Sequence, residues 1–191
     1  MKVNIGGLKG KNKSREDWHI LDWVGKGNKD PRIINHNLNR LSSFPISGDS
    51  VDAYYTSHTL EHVYPDYIFF VLCEIQRTLK TDGLVRIVVP DIEVGIQQYI
   101  KRETYVDKAP FKPAVFPETR LGNLMGWFTS PDKKHSSGHH MAFDGDTLKA
   151  LLQRASFKDI KFLSYNVCSP IFNGLDHERY KDWSIYVECT K

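Results

Sequence analysis

Leu84-Val85-Arg86-Ile87-Val88-Val89 is a nearly unbroken apolar run. A strand of that kind belongs where both faces of a sheet are covered. It follows Tyr67–Leu79, in which Ile68, Val71, Leu72, Ile75 and Leu79 recur at helical spacing, so an amphipathic helix is expected there. Thr81-Asp82-Gly83 is expected to stop that helix. Upstream, Val51–Thr56 has the β-branched and aromatic content of another strand. A strand, a helix and a second buried strand in succession form a crossover unit, and this confines the chain to an α/β sheet.

The remaining segments extend the pattern. Val3–Ile5, His19–Trp23 and Arg32–Ile34 read as short strands, and Leu8–Asp17 as a polar loop. Ile92–Lys101 is expected to be helical, and Asp144 to cap a helix over Thr147–Ala155. Ile160–Ser164 and Trp183–Glu188 alternate and are expected to close the sheet as an antiparallel pair. The stretch Tyr105–Lys134 is rich in Pro, Gly and aromatic residues and is too long for a simple connection. The expected architecture is a three-layer α/β sandwich: a Rossmann-like, mostly parallel sheet ending in an antiparallel strand pair. It forms one domain over residues 1–191, with an insertion at about 105–137.

Composition excludes several classes. A formal net charge of +3 is too small to indicate a nucleic-acid partner. Lys9, Lys11 and Lys13 cluster, but in a segment that reads as solvated loop. Cys73, Cys168 and Cys189 are odd in number and far apart, so they support neither a disulfide framework nor a zinc ribbon, and reduced thiols are expected. The first residues lack the apolar core of a secretion signal, and no apolar run reaches the roughly 18 residues that span a bilayer. A cytoplasmic protein without a membrane partner is the expectation.

In a parallel α/β sheet, ligands bind beyond the carboxyl ends of the strands, and four strand exits here carry distinctive residues. The first ends in Gly6-Gly7, where a bare backbone allows close approach of a ligand. The second ends in Asp22, whose carboxylate can accept both hydroxyls of a ribose. The third ends in Asn37-Leu38, an amide for the edge of a base and an apolar side chain for its face. The fourth ends in Ser57-His58.

Asp49-Ser50-Val51-Asp52-Ala53-Tyr54, Ser57-His58-Thr59-Leu60-Glu61-His62, Glu74–Leu84 and Arg86-Ile87-Val88-Val89-Pro90-Asp91 together resemble the class I S-adenosylmethionine-dependent methyltransferases. Within that family the chain is most similar to small methyltransferase-domain proteins associated with glycan or cell-surface biosynthesis. His140-Met141-Ala142-Phe143-Asp144, Leu148 and Ala155-Ser156-Phe157 resemble the family's late helix and turn. The resemblance implies S-adenosyl-L-methionine as cofactor. Gly6 and Gly7 would line its methionine moiety, Asp22 its ribose, and Asn37 and Leu38 its adenine, while Ser57 and His58 would close the pocket. It further implies methyl transfer to an oxygen or nitrogen of a small molecule or glycan. His58, Asp91 and either His139 or His140, with His140 preferred, are the candidate catalytic groups. The family's first loop is usually Gly-x-Gly, and here it is Gly6-Gly7-Leu8. That difference carries the alternative reading, a non-catalytic module of the same fold that has lost the cofactor.

His58-x-x-Glu61-His62 also matches an inverted zinc-protease signature, which on a helix would place both imidazoles on one face. Because the motif starts at a strand exit, His58 is expected to precede any helix, and the expected site contains no metal ion. His135, His139 and His140 form a second histidine cluster that reads as a solvated loop or a metal site, and the family resemblance implies that one of them lies near the substrate mouth. Phe111, Phe116, Trp127 and Phe128 read either as a stacking surface or as a small core under the insertion.

Overall fold

A computed structural model describes residues 1–7, 16–23, 29–102, 119–128 and 138–191. Lys9, Lys11, Lys13, Phe111, Phe116 and His135 lie outside these residues, as does most of the expected insertion. Seven strands form one sheet: β1 (Lys2–Ile5), β2 (Trp18–Asp22), β3 (Ile33–Asn35), β4 (Val51–Ser57), β5 (Leu79–Pro90), β6 (Lys158–Leu163) and β7 (Ser184–Thr190). Their spatial order is β3-β2-β1-β4-β5-β7-β6. The first five are mutually parallel, whereas β7 runs antiparallel to both β5 and β6. The mostly parallel sheet with an antiparallel C-terminal pair is therefore the observed architecture.

Alternation of side chains along the strands divides the core in two. Val3, Ile5, Leu21, Tyr54, Val85, Ile87 and Val187 share the face covered by α1 (Pro65–Thr78) and α4 (Gly145–Arg154). Pro65 occupies the first turn of α1, where its missing N–H is not needed, so the helix starts two residues before the expected Tyr67. The opposite face packs Trp18, Ala53, Tyr55 and Val88 against Phe172 and Leu175. Those last two residues belong to a segment with only single 3₁₀ turns at Pro170–Phe172 and Glu178–Tyr180.

The same opposite face holds Arg86, fully buried within β5. Its guanidinium donates to Asp176 at 2.6 and 2.9 Å and to Glu188 at 2.9 Å, so the charge is neutralised in place. On the helix side, Glu74 accepts from the Phe44 amide at 2.7 Å and pairs with Arg77. Arg77 in turn donates to Phe44 O and Ile46 O, pinning the connector before β4 onto α1.

Three expectations need correction. The helix ends at Thr78, one residue before the expected Leu79, and Thr81-Asp82-Gly83, expected to stop it, lies within β5, which starts at Leu79. Val51 pairs with Leu79 and Ala53 with Leu84, so Lys80–Gly83 is an outward excursion within one edge of the strand. Arg120–Phe128 is a helix, α3, within the stretch expected to be an insertion, where no helix is expected. It packs on α2 (Ile92–Ile100) so closely that a Cβ on Gly95 would lie 2.6 Å from Trp127 Nε1. Trp127 is buried in that contact while Phe128 is exposed, so the two do not form a common stacking surface.

Candidate active site

Strand pairing brings the expected binding residues to one edge. Ile5 at the end of β1 pairs with Leu21 of β2 and Thr56 of β4, and Asp22 pairs with Asn35 of β3. The exits carrying Gly6-Gly7, Asp22, Asn37 and Ser57-His58 are thus neighbours along the carboxyl side of the parallel strands. Gly6 has a φ of +76°, a conformation costly for any residue with a Cβ. The side chain of Thr59, from the loop after β4, lies against it. Asp22 Oδ1 accepts from Trp23 N at 2.7 Å, and the Trp23 ring stands 67% exposed just beyond the carboxylate. Asn37 Oδ1 accepts from Asn39 N at 2.9 Å, which leaves its amide nitrogen as donor. Leu38 packs on the edge of the core. Thr56 Oγ1, buried at the tip of β4, has no hydrogen-bond partner among the described residues. From β3 to β4 the strand exits present an amide, a carboxylate, a bare glycine turn and a buried hydroxyl, groups that suit a nucleoside with an attached amino-acid chain.

His58 occupies the left-handed region at φ +50°, because the chain must turn sharply off β4. Its amide donates to Val88 O at 2.9 Å, its ring stacks on Tyr180 at 3.6 Å, and its Nε2 lies 2.9 Å from Ser184 Oγ. Ser184 pairs with Pro90, next to Asp91. His58 and Asp91 therefore stand at adjacent strand tips. Asp91 caps α2 by accepting from Glu93 N at 3.0 Å, and burial raises its carboxyl above the ordinary range. His140 joins the same region: its amide donates to Glu61 O at 2.7 Å and its ring stacks on Tyr64 at 4.1 Å. Burial lowers the pKa of both His139 and His140.

Only Leu60–His62 wind after His58, as a single 3₁₀ turn, so the helix of an inverted zinc protease is not formed and His58 and His62 share no helical face. Glu61 is turned inward and is 1% exposed. Burial opposes its charge, but His58, His62 and His139 outweigh that effect and hold its carboxyl below the ordinary range. Glu61 Oε1 lies 3.4 Å from His58 Nδ1 and 3.8 Å from His62 Nε2. Among the residues around the site, Tyr180 and Ser184 carry no motif that singles them out in the sequence. Glu61 and His62 do, and their meeting with His139 depends on the fold.

No protein-family model matches the sequence, and no curated protein matches it. Solved structures do. One is an S-adenosylmethionine-dependent methyltransferase from Methanosarcina mazei, with a TM-score of 0.58 and 14% identity over 100% of this chain and 91% of that one. Another, from Mesorhizobium loti, has a TM-score of 0.57 and 15% identity over 100% and 90% of the two chains. The third is 1,6-didemethyltoxoflavin-N1-methyltransferase from Burkholderia thailandensis with bound S-adenosylhomocysteine, at a TM-score of 0.54 and 14% identity over 100% and 70%. The chain has the fold of an S-adenosylmethionine-dependent methyltransferase. Against a longer neighbour it spans 63% of that protein's length. Gly6, Asp22, Asn37 and Ser57 lie at the carboxyl end of the parallel strands of this fold. Among the described residues, no helix is long and apolar enough to cross a membrane.

Proposed function

We propose that this chain is an S-adenosylmethionine-dependent methyltransferase acting on an oxygen or nitrogen of a small molecule or glycan. The observation that carries the reading is the side-by-side placement of the β3, β2, β1 and β4 exits, which bear Asn37-Leu38, Asp22, Gly6-Gly7 and Ser57-His58 respectively. Asp22 would accept the ribose hydroxyls, Asn37 and Leu38 would frame the adenine, and the Gly6-Gly7 turn would pass the methionine portion beside Thr59. Bound there, S-adenosylmethionine supplies a methyl group already activated by its sulfonium. What the protein must add is alignment, and holding reactants in line supplies most of the effect for such a transfer. His58, fixed by Tyr180 and Ser184, and Asp91 and His140 are the groups proposed to face the acceptor.

Calorimetric titration with S-adenosylhomocysteine tests the reading. Saturable binding that is lost in Asp22→Ala supports it, and no heat at millimolar ligand overturns it in favour of a non-catalytic module.

A further inference from the structure

The loop after β4 presents a second set of ligand groups that methyl transfer does not require. We propose that Glu61, His62 and His139 form a binding site for a divalent first-row transition-metal ion, with zinc as its reference occupant. The inference stands on geometry separate from the cofactor edge and goes beyond the proposed reaction.

One ligand atom from each of the three residues lies within 4.8 Å of the other two. A tetrahedral zinc ion with bonds of about 2.1 Å sets its ligands about 3.4 Å apart. His62 Nε2 and Glu61 Oε1, at 3.8 Å, are already close to that spacing. The two rings approach edge to face, with centroids 5.0 Å apart.

Both imidazoles are held by their far nitrogens. His62 Nδ1 lies 3.2 Å from Gly138 O, and His139 Nδ1 lies 3.2 Å from Trp127 O. A carbonyl only accepts, so Nδ1 carries a hydrogen in each ring, and Nε2 is the nitrogen whose lone pair a metal ion would take. This is how a metal-binding imidazole is oriented by its outer partner. Glu61 supplies an independent sign. Its carboxylate is buried, and neither oxygen has a hydrogen bond of good geometry among the described residues, the nearest contact being Oε1 to His58 Nδ1 at 3.4 Å. A lone-pair nitrogen facing a carboxylate oxygen repels it unless a cation lies between them. One carboxylate and two imidazoles suit a zinc-like ion better than calcium or magnesium, which prefer oxygen ligands.

Three protein ligands leave a coordination position open, the pattern of reactive rather than purely structural zinc sites. His62 is about one-third exposed, so solvent reaches its ring. The site lies in the same loop as Thr59, which touches Gly6, and is therefore next to the proposed methyl-transfer cleft.

Zinc titration of tag-free, chelator-treated full-length protein tests the site by calorimetry, with Co²⁺ absorption reporting tetrahedral nitrogen and oxygen ligation. One equivalent should bind. Glu61→Gln, which keeps the side-chain volume, and His62→Ala should each weaken binding by more than the roughly 10–100-fold that losing an outer partner costs. Circular dichroism reports whether each variant is folded, and a variant that does not fold is replaced by His139→Gln. No stoichiometric zinc binding, or zinc binding unchanged in folded variants, overturns the proposal and leaves a proton as the cation beside Glu61. No S-adenosylhomocysteine is present in this titration, so its outcome is independent of whether the cofactor reading holds.

Discussion

Thr59 occupies the place a side chain on Gly6 would take: a Cβ there would lie 2.2 Å from Thr59 Oγ1 and 2.6 Å from Thr59 Cγ2. Thr59 is itself tied down, lying 3.2 Å from both Ile5 O and Ser57 O. Gly6→Ala therefore combines a left-handed backbone with an overpacked contact and should cost roughly 2–4 kcal/mol of stability. Urea unfolding measures it. Adding Thr59→Gly should recover the packing part but not the backbone part. Full recovery in the double variant would show that Gly6 is not held at its positive φ.

Arg86 meets Asp176 and Glu188 where no water reaches it, and both carboxylates are also fixed by backbone amides, from Asn166 and Ser169. Arg86→Met removes the cation and leaves both carboxylates buried, at an expected cost of about 3–5 kcal/mol. Asp176→Asn in that background should cost less than it does alone, because the lost partner is shared. Strict additivity in denaturant titrations would rule the network out.

The parts of the fold legible in the sequence were those whose burial is written in side-chain type. Leu84–Val89 and Val51–Thr56 announce themselves as buried strands, and Ile68, Val71 and Leu72 announce a one-sided helix. Arg120–Phe128 does not, because its packed face is Gly122, Asn123, Gly126 and Trp127. Those glycines lower helix propensity, and the close approach of the two helices is made at Gly95 of α2 against Trp127. The excursion Lys80–Gly83 imitates a helix stop, since polar residues and glycine suit either role. At the site, Gly6-Gly7, Asp22 and Ser57-His58 were readable as strand exits. His139 was not readable as a neighbour of Glu61, because their contact is made only when the chain returns to the β4 loop. Tyr180 was invisible for the same reason.

His58 is positioned by groups on β7 and the turn before it. Ser184 Oγ lies 2.9 Å from Nε2, and Tyr180 lies flat against the ring with an interplanar angle of 19°. If His58 faces the acceptor, Ser184→Ala should lower kcat roughly 10- to 100-fold through lost alignment. The dissociation constant for S-adenosylhomocysteine should stay the same, because Ser184 is remote in sheet order from Asp22. Steady-state kinetics together with calorimetry separates the two effects, and equal losses in both would assign Ser184 a structural role instead.

His36 gives the stability a pH dependence of predictable sign. It is buried against Phe44, with ring centroids 5.1 Å apart, and burial lowers its pKa from the ordinary 6.5 although the Glu74 charge works the other way. The folded state then takes up the proton less readily than the unfolded chain. The stability from this residue is complete above 6.5 and is lost as the pH falls from there through the lower, folded-state value. His36→Gln cannot titrate, so the stability difference between the native protein and this variant should be constant at about pH 8 and should move against the native protein as the pH approaches about 5. Taking that difference cancels the contributions of His139 and His140, which the two proteins share. Unfolding free energies measured across that range decide it, and a difference that moves in favour of the native protein on acidification would mean that the Glu74 charge dominates over burial.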